Sequence, residues 1–548
     1  MNPHFLRYVR AVSAAAILAL AAAPRLSAQG TATVAPSDLA YADIDRLSQL
    51  GVLDSVIMGQ RPYSRREIAR IARIAADRLE LRGAHFSTYA GELVQRLRAR
   101  FPEGDGRARD EWLLSPIDGA SLTAATTDAE RRAFLSLANK STEATIDPLA
   151  ERRLGQPAVR GSTLALEVAQ RVEPTSWLAI QARERIEARS PRDTGISSTQ
   201  GEVLLASARA RFRNLALTVG RQQVTWAQDA GGGIVLASDA PALDQISITG
   251  DQPFILPGFL HLLGPTQGTL LLADLGPSVS HAHSRLLAYK VSVQPSSILE
   301  LGASFENHYG GAGSRSSSVS DRLIDFLWFF DIFRHHNYTD TSKSLDVESD
   351  KVLAADGRLR IAPLGGLVVT GEMLIDDFDV HRIPQLLTGY GSQTVGLSWP
   401  VLVSPELSLK LTAKHLGIIT YTHAQLTDGM TSRGRLLGDE LGPDSKSFGA
   451  LLGWTPTAAA RFELEGRSAI YSNAAYAGFY PDTSSSKYVV KKLSSLPNEL
   501  RDILIGGLTL QDNSGLALTA RAGMERIRNV SSGRRRDYVA QLALRYGL

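Results

Sequence analysis

Few side chains in this sequence are placed to do chemistry. His281-Ala-His283 would put two imidazoles on one face of a strand, the beginning of a metal site. No third ligand follows at a fixed spacing, so no metal is expected. His335-His336, near Asp331 and Asp340, reads as a solvated polar cluster. Gly231-Gly-Gly233 lacks the Lys-Ser/Thr of a phosphate-cradling loop and suits a tight turn. Neither a Gly-x-Ser-x-Gly elbow nor a His-Glu-x-x-His helix is present. Tyr421-Thr-His423 invites a lipase embedded in a barrel, with a Ser nucleophile elsewhere, but a place at a barrel rim explains it more simply. No catalytic residue and no cofactor is therefore assigned. Sugar binding, by contrast, would need no catalytic group and uses aromatic faces and bidentate donors. Its candidates are Trp226, Tyr421, Arg433 and Arg435 on loops, with Arg209, Arg211 and Arg213 on a strand below. A role for Trp226 and Tyr421 in a membrane-interface belt accounts for those two equally well.

What would position these groups is read from the whole chain. It has 548 residues and no Cys, which excludes a disulfide framework, thiol chemistry and Cys-ligated zinc. Arg7 and Arg10 precede an apolar run from Ala11 to Ala23, then Pro24-Arg-Leu-Ser-Ala28. This is the pattern of a secretory signal over residues 1–28, with cleavage near Ala28, and it is too short for a comfortable membrane span. The chain carries 59 basic and 56 acidic residues, and the three-charge excess lies in that segment as Arg7, Arg10 and Arg25. Bulk charge thus gives no reason to expect nucleic acid.

Residues 29–106 read as a small helical module. After a polar stretch to Pro36, Leu39, Ile44, Leu47 and Leu50 form a stripe that ends at Gly51. Ser64 and Glu67 make a capping box for a second helix reaching Gly83, and a third runs from Ser87 to Phe101. Pro102-Glu-Gly-Asp-Gly106 is the expected linker.

From 107 to 548 the pattern alternates with period two. Tyr538 to Leu548 is the plainest case: Tyr538, Leu542, Leu544 and Tyr546 share one face, Val539, Gln541, Ala543 and Arg545 the other. Ala206 to Arg213 sets Ala and Phe212 against Ser207, Arg209, Arg211 and Arg213. From Ile180 to Arg189, Gln181, Arg183, Arg185, Glu187 and Arg189 share a face. An Arg or Lys at a bilayer midplane costs about 2–4 kcal/mol, so these rows must face a lumen. There they either neutralise one another or form a basic track for an acidic polymer. Some 16–18 strands are counted, including short candidates near Leu122, Ile234 and Ile246. Tight turns such as Ala362-Pro-Leu-Gly-Gly366 alternate with long polar loops such as Asn307 to Ser320 and Ala474 to Lys492. The expected fold is mainly β, a transmembrane outer-membrane β-barrel of antiparallel strands with an N-terminal helical module.

Three stretches resemble the Wzi family of capsule assembly proteins. The first is Gly220-Arg-Gln-Gln-Val-Thr-Trp226 through Gly231-Gly-Gly233 to Asp239-Ala-Pro241 and Ile246-Ser-Ile248. The second is Tyr421-Thr-His423 with Gly434-Arg-Leu-Leu-Gly438-Asp-Glu-Leu-Gly442-Pro-Asp444. The third is Leu50-Gly-Val-Leu53 with Arg61-Pro-Tyr-Ser64. The resemblance implies an eighteen-stranded barrel with a periplasmic helical bundle, lectin-like and not enzymatic. It implies capsular or other surface polysaccharide and outer-membrane lipid as partners, for a monomer in a Gram-negative-type envelope. Where relatives carry a second aromatic or Gly-Pro after the Trp, this chain reads Ala227-Gln-Asp229. The alternatives for the same fold are a porin or transport channel and, more distantly, the barrel lipase.

Overall fold

The computed structural model describes residues 31–547 apart from 83–87, 103–112, 130–131, 136–140, 147–159, 193–195, 229–232, 278–280, 315–325, 327–348, 377–389, 424–425, 427–428, 483–486, 495–496 and 531–532. The expected signal segment, most of the expected linker and His335-His336 lie outside these residues.

Three helices form where the stripes fall: α1 (Ala40–Gln49), α2 (Arg65–Arg82) and α3 (Thr88–Arg100). Gly51 ends α1 with φ +73, a conformation that costs Gly no Cβ clash. Only half of the capping box forms. Ser64 Oγ accepts the Glu67 N–H at 3.1 Å, while the Glu67 carboxylate turns to Arg70 at 2.6 Å. Burial holds the Glu67 carboxyl above the usual range even so, because the ion pair does not fully replace lost water. Ile44, Leu47, Ile68, Ile71, Leu93 and Leu97 close a small core, each worth roughly 1.5–3 kcal/mol of burial. The stretch before α1 is not a free polar leader: Thr31 and Ala32 are buried, and Thr33 bridges to Ser64.

Eighteen antiparallel strands close into a barrel. They are β1 (Leu113–Thr127), β2 (Gly161–Thr175), β3 (Leu178–Pro191), β4 (Ser198–Phe212), β5 (Leu215–Gln222) and β6 (Leu243–Gly250). Then come β7 (Pro265–Asp274), β8 (Arg285–Ser296), β9 (Leu299–Tyr309), β10 (Ser349–Ile361), β11 (Leu367–Ile375) and β12 (Ser392–Trp399). The last six are β13 (Leu407–Leu416), β14 (Ser445–Thr457), β15 (Ala460–Tyr471), β16 (Glu499–Gln511), β17 (Leu516–Val530) and β18 (Gly533–Tyr546). β1 pairs with β2 on one side and with β18 on the other, Ala120 opposite Tyr546, so no edge strand remains open.

Alternation sets which face meets lipid. On β18, Leu542 and Leu544 are 51% and 48% exposed, while Val539 and Ala543 are 6% and 0%. The same outward band continues through Leu164, Ile180, Leu217, Ile248 and Leu464. No described helix is long and apolar enough to cross a membrane; the closed barrel with its outward apolar band is the membrane-spanning element.

Three expectations change. β16 was not anticipated, because Ile503 and Ile505 inside face Leu504 and Leu510 outside, and Gly506-Gly507 reads as a break. Ile234 is not on a strand but buried in the lumen. The expected loop from Ala474 to Lys492 carries a hairpin of its own, Ala475–Asp482 paired with Lys487–Ser494.

Short connections such as 176–177, 213–214, 297–298 and 458–459 gather at one end of the barrel and long loops at the other. The helical module sits at the short-turn end. Arg96 donates to the Ala458 carbonyl at 2.5 Å, Arg360 to that of Gln49 at 3.2 Å, and Arg46 to that of Pro405.

Candidate functional site in the lumen

β5 and β6 hold only eight residues each, a rise of about 27 Å at roughly 3.3 Å per residue, against about 50 Å for the fifteen of β1. The wall is low there, and the described residues of 223–242 between them turn into the lumen, with Val224, Trp226, Ile234 and Leu236 buried. Residues 417–444, between β13 and β14, meet them. The inner wall facing these loops is apolar rather than polar: Leu271, Leu286, Val352, Leu374 and Leu416 are all buried against Trp226, Ile234, Leu236, Met430 and Leu437. This corrects the simple expectation of a polar interior.

Irregular backbone buried in a lumen must find acceptors for its N–H groups. Wall carboxylates provide them. Glu300 accepts from Met58 N at 2.9 Å and Gly59 N at 2.8 Å, Glu372 from Ile234 N at 2.9 Å, and Asp376 from Tyr421 N at 2.5 Å. The two ends of the plug also meet. Arg61 and Thr225 exchange backbone hydrogen bonds at 2.9 and 3.0 Å, so the module from below and loop 223–242 from above form one body. Gln228 ties the loop to Glu300 at 3.1 Å and Asp356 at 2.6 Å.

The seven candidate sugar-binding residues do not converge. Trp226 is 2% exposed in the luminal core, and its backbone N–H donates to the Leu236 carbonyl at 2.9 Å. Tyr421, also buried, takes φ +64; its hydroxyl donates to the Ile234 carbonyl at 2.6 Å and accepts the Asp439 N–H at 3.0 Å. Burial pushes that hydroxyl well above the usual tyrosine range, so it remains a donor. Arg433 and Gly434, both at positive φ, turn a two-residue hairpin between Ser432 and Arg435. Arg433 pairs with Asp244 at 2.5 Å, which also holds Arg221 at 2.7 Å. Arg435 lies half-buried on the same hairpin. Arg209, Arg211 and Arg213 stand apart, at the short-turn end: Arg209 pairs with Asp251 at 2.8 Å, and Arg66 of α2 reaches Asp251 at 3.6 Å. His281 and His283 lie in a turn, His283 against Asp274 at 3.0 Å, and no metal-ligating cluster is found among the described residues.

Gly438 belongs to the second family-like stretch, and the structure gives it a role that the sequence did not. A Cβ there would stand 2.3 Å from the Tyr421 ring. Gly438→Ala is therefore expected to expel the ring and cost Tyr421 both hydrogen bonds. Limited trypsin digestion of the full chain reads this as new cleavage after Arg433 or Arg435; unchanged protection would contradict it.

On the opposite side of the lumen a cavity of about 470 Å³ remains. Ser37, Asp38 and Tyr41 of the module floor it, and Gly233 and Glu440 of the loops border it. Its wall mixes charge with small residues, Arg183, Arg467 and Arg521 beside Gly396, Gly449 and Thr509. Several of these charges are already matched: Arg183 and Arg185 with Glu167, Arg467 with Glu440 at 2.5 Å, Lys414 with Asp439 at 2.5 Å.

A closed eighteen-stranded barrel with an apolar belt is an outer-membrane protein, here one whose lumen is occupied from both ends. Residues 138–538 match the family model of capsule assembly protein Wzi, and the chain belongs to that family. Its fold is similar to that of Wzi from Escherichia coli, an outer membrane protein involved in group 1 capsule assembly and a carbohydrate binding β-barrel. That match has 15% identity and a TM-score of 0.64, covering 94% of this chain and 99% of that one. OpdL of Pseudomonas aeruginosa matches at 10% identity and TM-score 0.42 over 78% of this chain and 97% of its own. OccAB1 of Acinetobacter baumannii matches at 9% and 0.42 over 80% and 98%. A search of curated protein sequences gave no match.

Proposed function

We propose that this protein holds capsular or other surface polysaccharide at the cell exterior, without catalysis, as a monomer whose short-turn end and helical module (residues 29–106) face the periplasm. Family membership carries the reading. The filled lumen supports it against the porin alternative, since loops 223–242 and 417–444 and the module occupy the space a channel needs. The candidate residues divide by their surroundings. Arg433 and Arg435, on the hairpin among the long loops, are proposed as polymer contacts, Trp226 and Tyr421 as the support that sets the hairpin, and Arg209, Arg211 and Arg213 as the most distant contributors.

Deleting the gene tests this. The expected result is unchanged total polysaccharide with a shift from cell-attached to shed material. Equal attachment with and without the gene would reject the reading, and conductance of the purified barrel would then become decisive.

A further inference from the structure

Among connections at the short-turn end, residues 251–264 are unusual in length and in what they expose. The chain leaves β6, forms a two-residue strand at Phe254–Ile255 against Pro265 and Thr266, then a 3-10 turn over Gly258–Leu263 in which no side chain is buried. Phe259 is 79% exposed, Leu262 70% and Ile255 58%, with Phe254, Leu260 and Leu263 also in the open. An apolar lobe of this kind is rarely left to water.

We infer that this lobe lies in the boundary between headgroups and acyl chains of the phospholipid leaflet at the short-turn end, as a foot beside the barrel. Continuity with the lipid-facing wall identifies the occupant. Thr266 alternates onto the same outward face as Leu270 and Leu272, yet it is 4% exposed, with its hydroxyl on the Gly264 carbonyl at 3.1 Å. Asp251 still turns inward to Arg209, but from Phe254 onward the segment covers the outside of the wall and packs beside β8, whose outward Val291 belongs to the belt. Its polar groups suit a wet boundary. Pro257 has no N–H, Gly264 N donates to the His261 carbonyl at 3.0 Å, and the His261 ring is held on the Gly258 carbonyl at 2.7 Å. Apolar side chains of interfacial segments reach about 5–10 Å into that boundary.

The chain has no Cys, so single spin labels can be placed cleanly. Full-length Leu262→Cys, labelled in phospholipid vesicles, is compared with Leu270→Cys on the belt and Arg73→Cys on the exposed side of α2. Collision rates with oxygen and with a water-soluble nickel complex are measured. The expected oxygen-to-nickel ratio at 262 is several-fold above that at 73 and approaches that at 270. A ratio at 262 equal to that at 73 overturns the inference. So does spin–spin broadening at 262 that vanishes on dilution, since a second copy would then cover the lobe. The Leu270→Cys signal confirms that the barrel has inserted, whatever the polysaccharide experiment returns.

Discussion

Trp226→Ala is expected to open the lumen while leaving the barrel wall standing. The indole is the largest fully buried side chain among the described residues and sits between wall residues and both inward loops. Truncating a buried Trp to Ala typically costs about 3–5 kcal/mol, through lost transfer energy and the void left behind. None of that is charged to the strand ladder, which closes through backbone pairs that do not involve Trp226. The loss falls on the packing of residues 223–242 against 417–444. The Arg61–Thr225 backbone pair still anchors one point of the loop. The other ties, Gln228 to Glu300 and Asp356 and Ile234 N to Glu372, likewise hold single points rather than the packed face, so the loops should sample open states. Three readouts follow: a circular dichroism spectrum like that of the parent, trypsin cleavage after Arg433 or Arg435, and bilayer conductance where the parent shows little. Parent-like conductance together with parent-like protection would mean that Trp226 does not hold the closure.

The barrel was legible because lipid keeps most of the outer face apolar, with few exceptions such as Glu184 beside Gln170. Tyr538, Leu542, Leu544 and Tyr546 mark that face in the sequence and occupy it in the structure. The helices were legible too, since a stripe such as Ile44, Leu47 and Leu50 admits one geometry. Where the reading failed, the inner face had stopped being polar. Leu270-Leu-Leu272 places one leucine in the lumen and two in lipid, because loop 223–242 covers Leu271. Ile503 and Ile505 hide β16 in the same way, packed with Ala129 and Val539. A strand apolar on both sides carries no period-two signal, and only the knowledge of what fills the lumen restores it. The seven candidate residues show the matching limit. Their chemistry could be read, but which end of the barrel each strand places them at could not. Arg209 and Arg433 fall in different halves for that reason.

Glu167→Ala is expected to cost about 3–5 kcal/mol, the toll of leaving buried charge uncompensated. Glu167 on β2 stands opposite Arg185 of β3 and accepts from both Arg183 and Arg185, the latter at 2.7 Å. Glu187 shares Arg185 and takes Arg189 at 2.9 Å, so the row is a ladder of alternating sign. Removing its shared carboxylate strands Arg183 more than Arg185, which keeps Glu187. Adding Arg183→Ala should therefore recover much of the loss, a coupling that a double-mutant cycle on denaturant midpoints in detergent would measure. The same pair of variants separates the two roles open to these arginines. If the ladder only fills the lumen, Arg183→Ala alone lowers stability and leaves attached polysaccharide in proportion to folded protein. If it is a track for an acidic polymer, Glu167→Ala raises attachment per folded barrel and Arg183→Ala lowers it. The geometry favours the first outcome, because a guanidinium with two N–H groups already on one oxygen of a buried carboxylate has little left to offer a passing sugar acid. Attachment per folded barrel that falls with Arg183→Ala would reverse that judgement and move the polymer from the loops into the cavity.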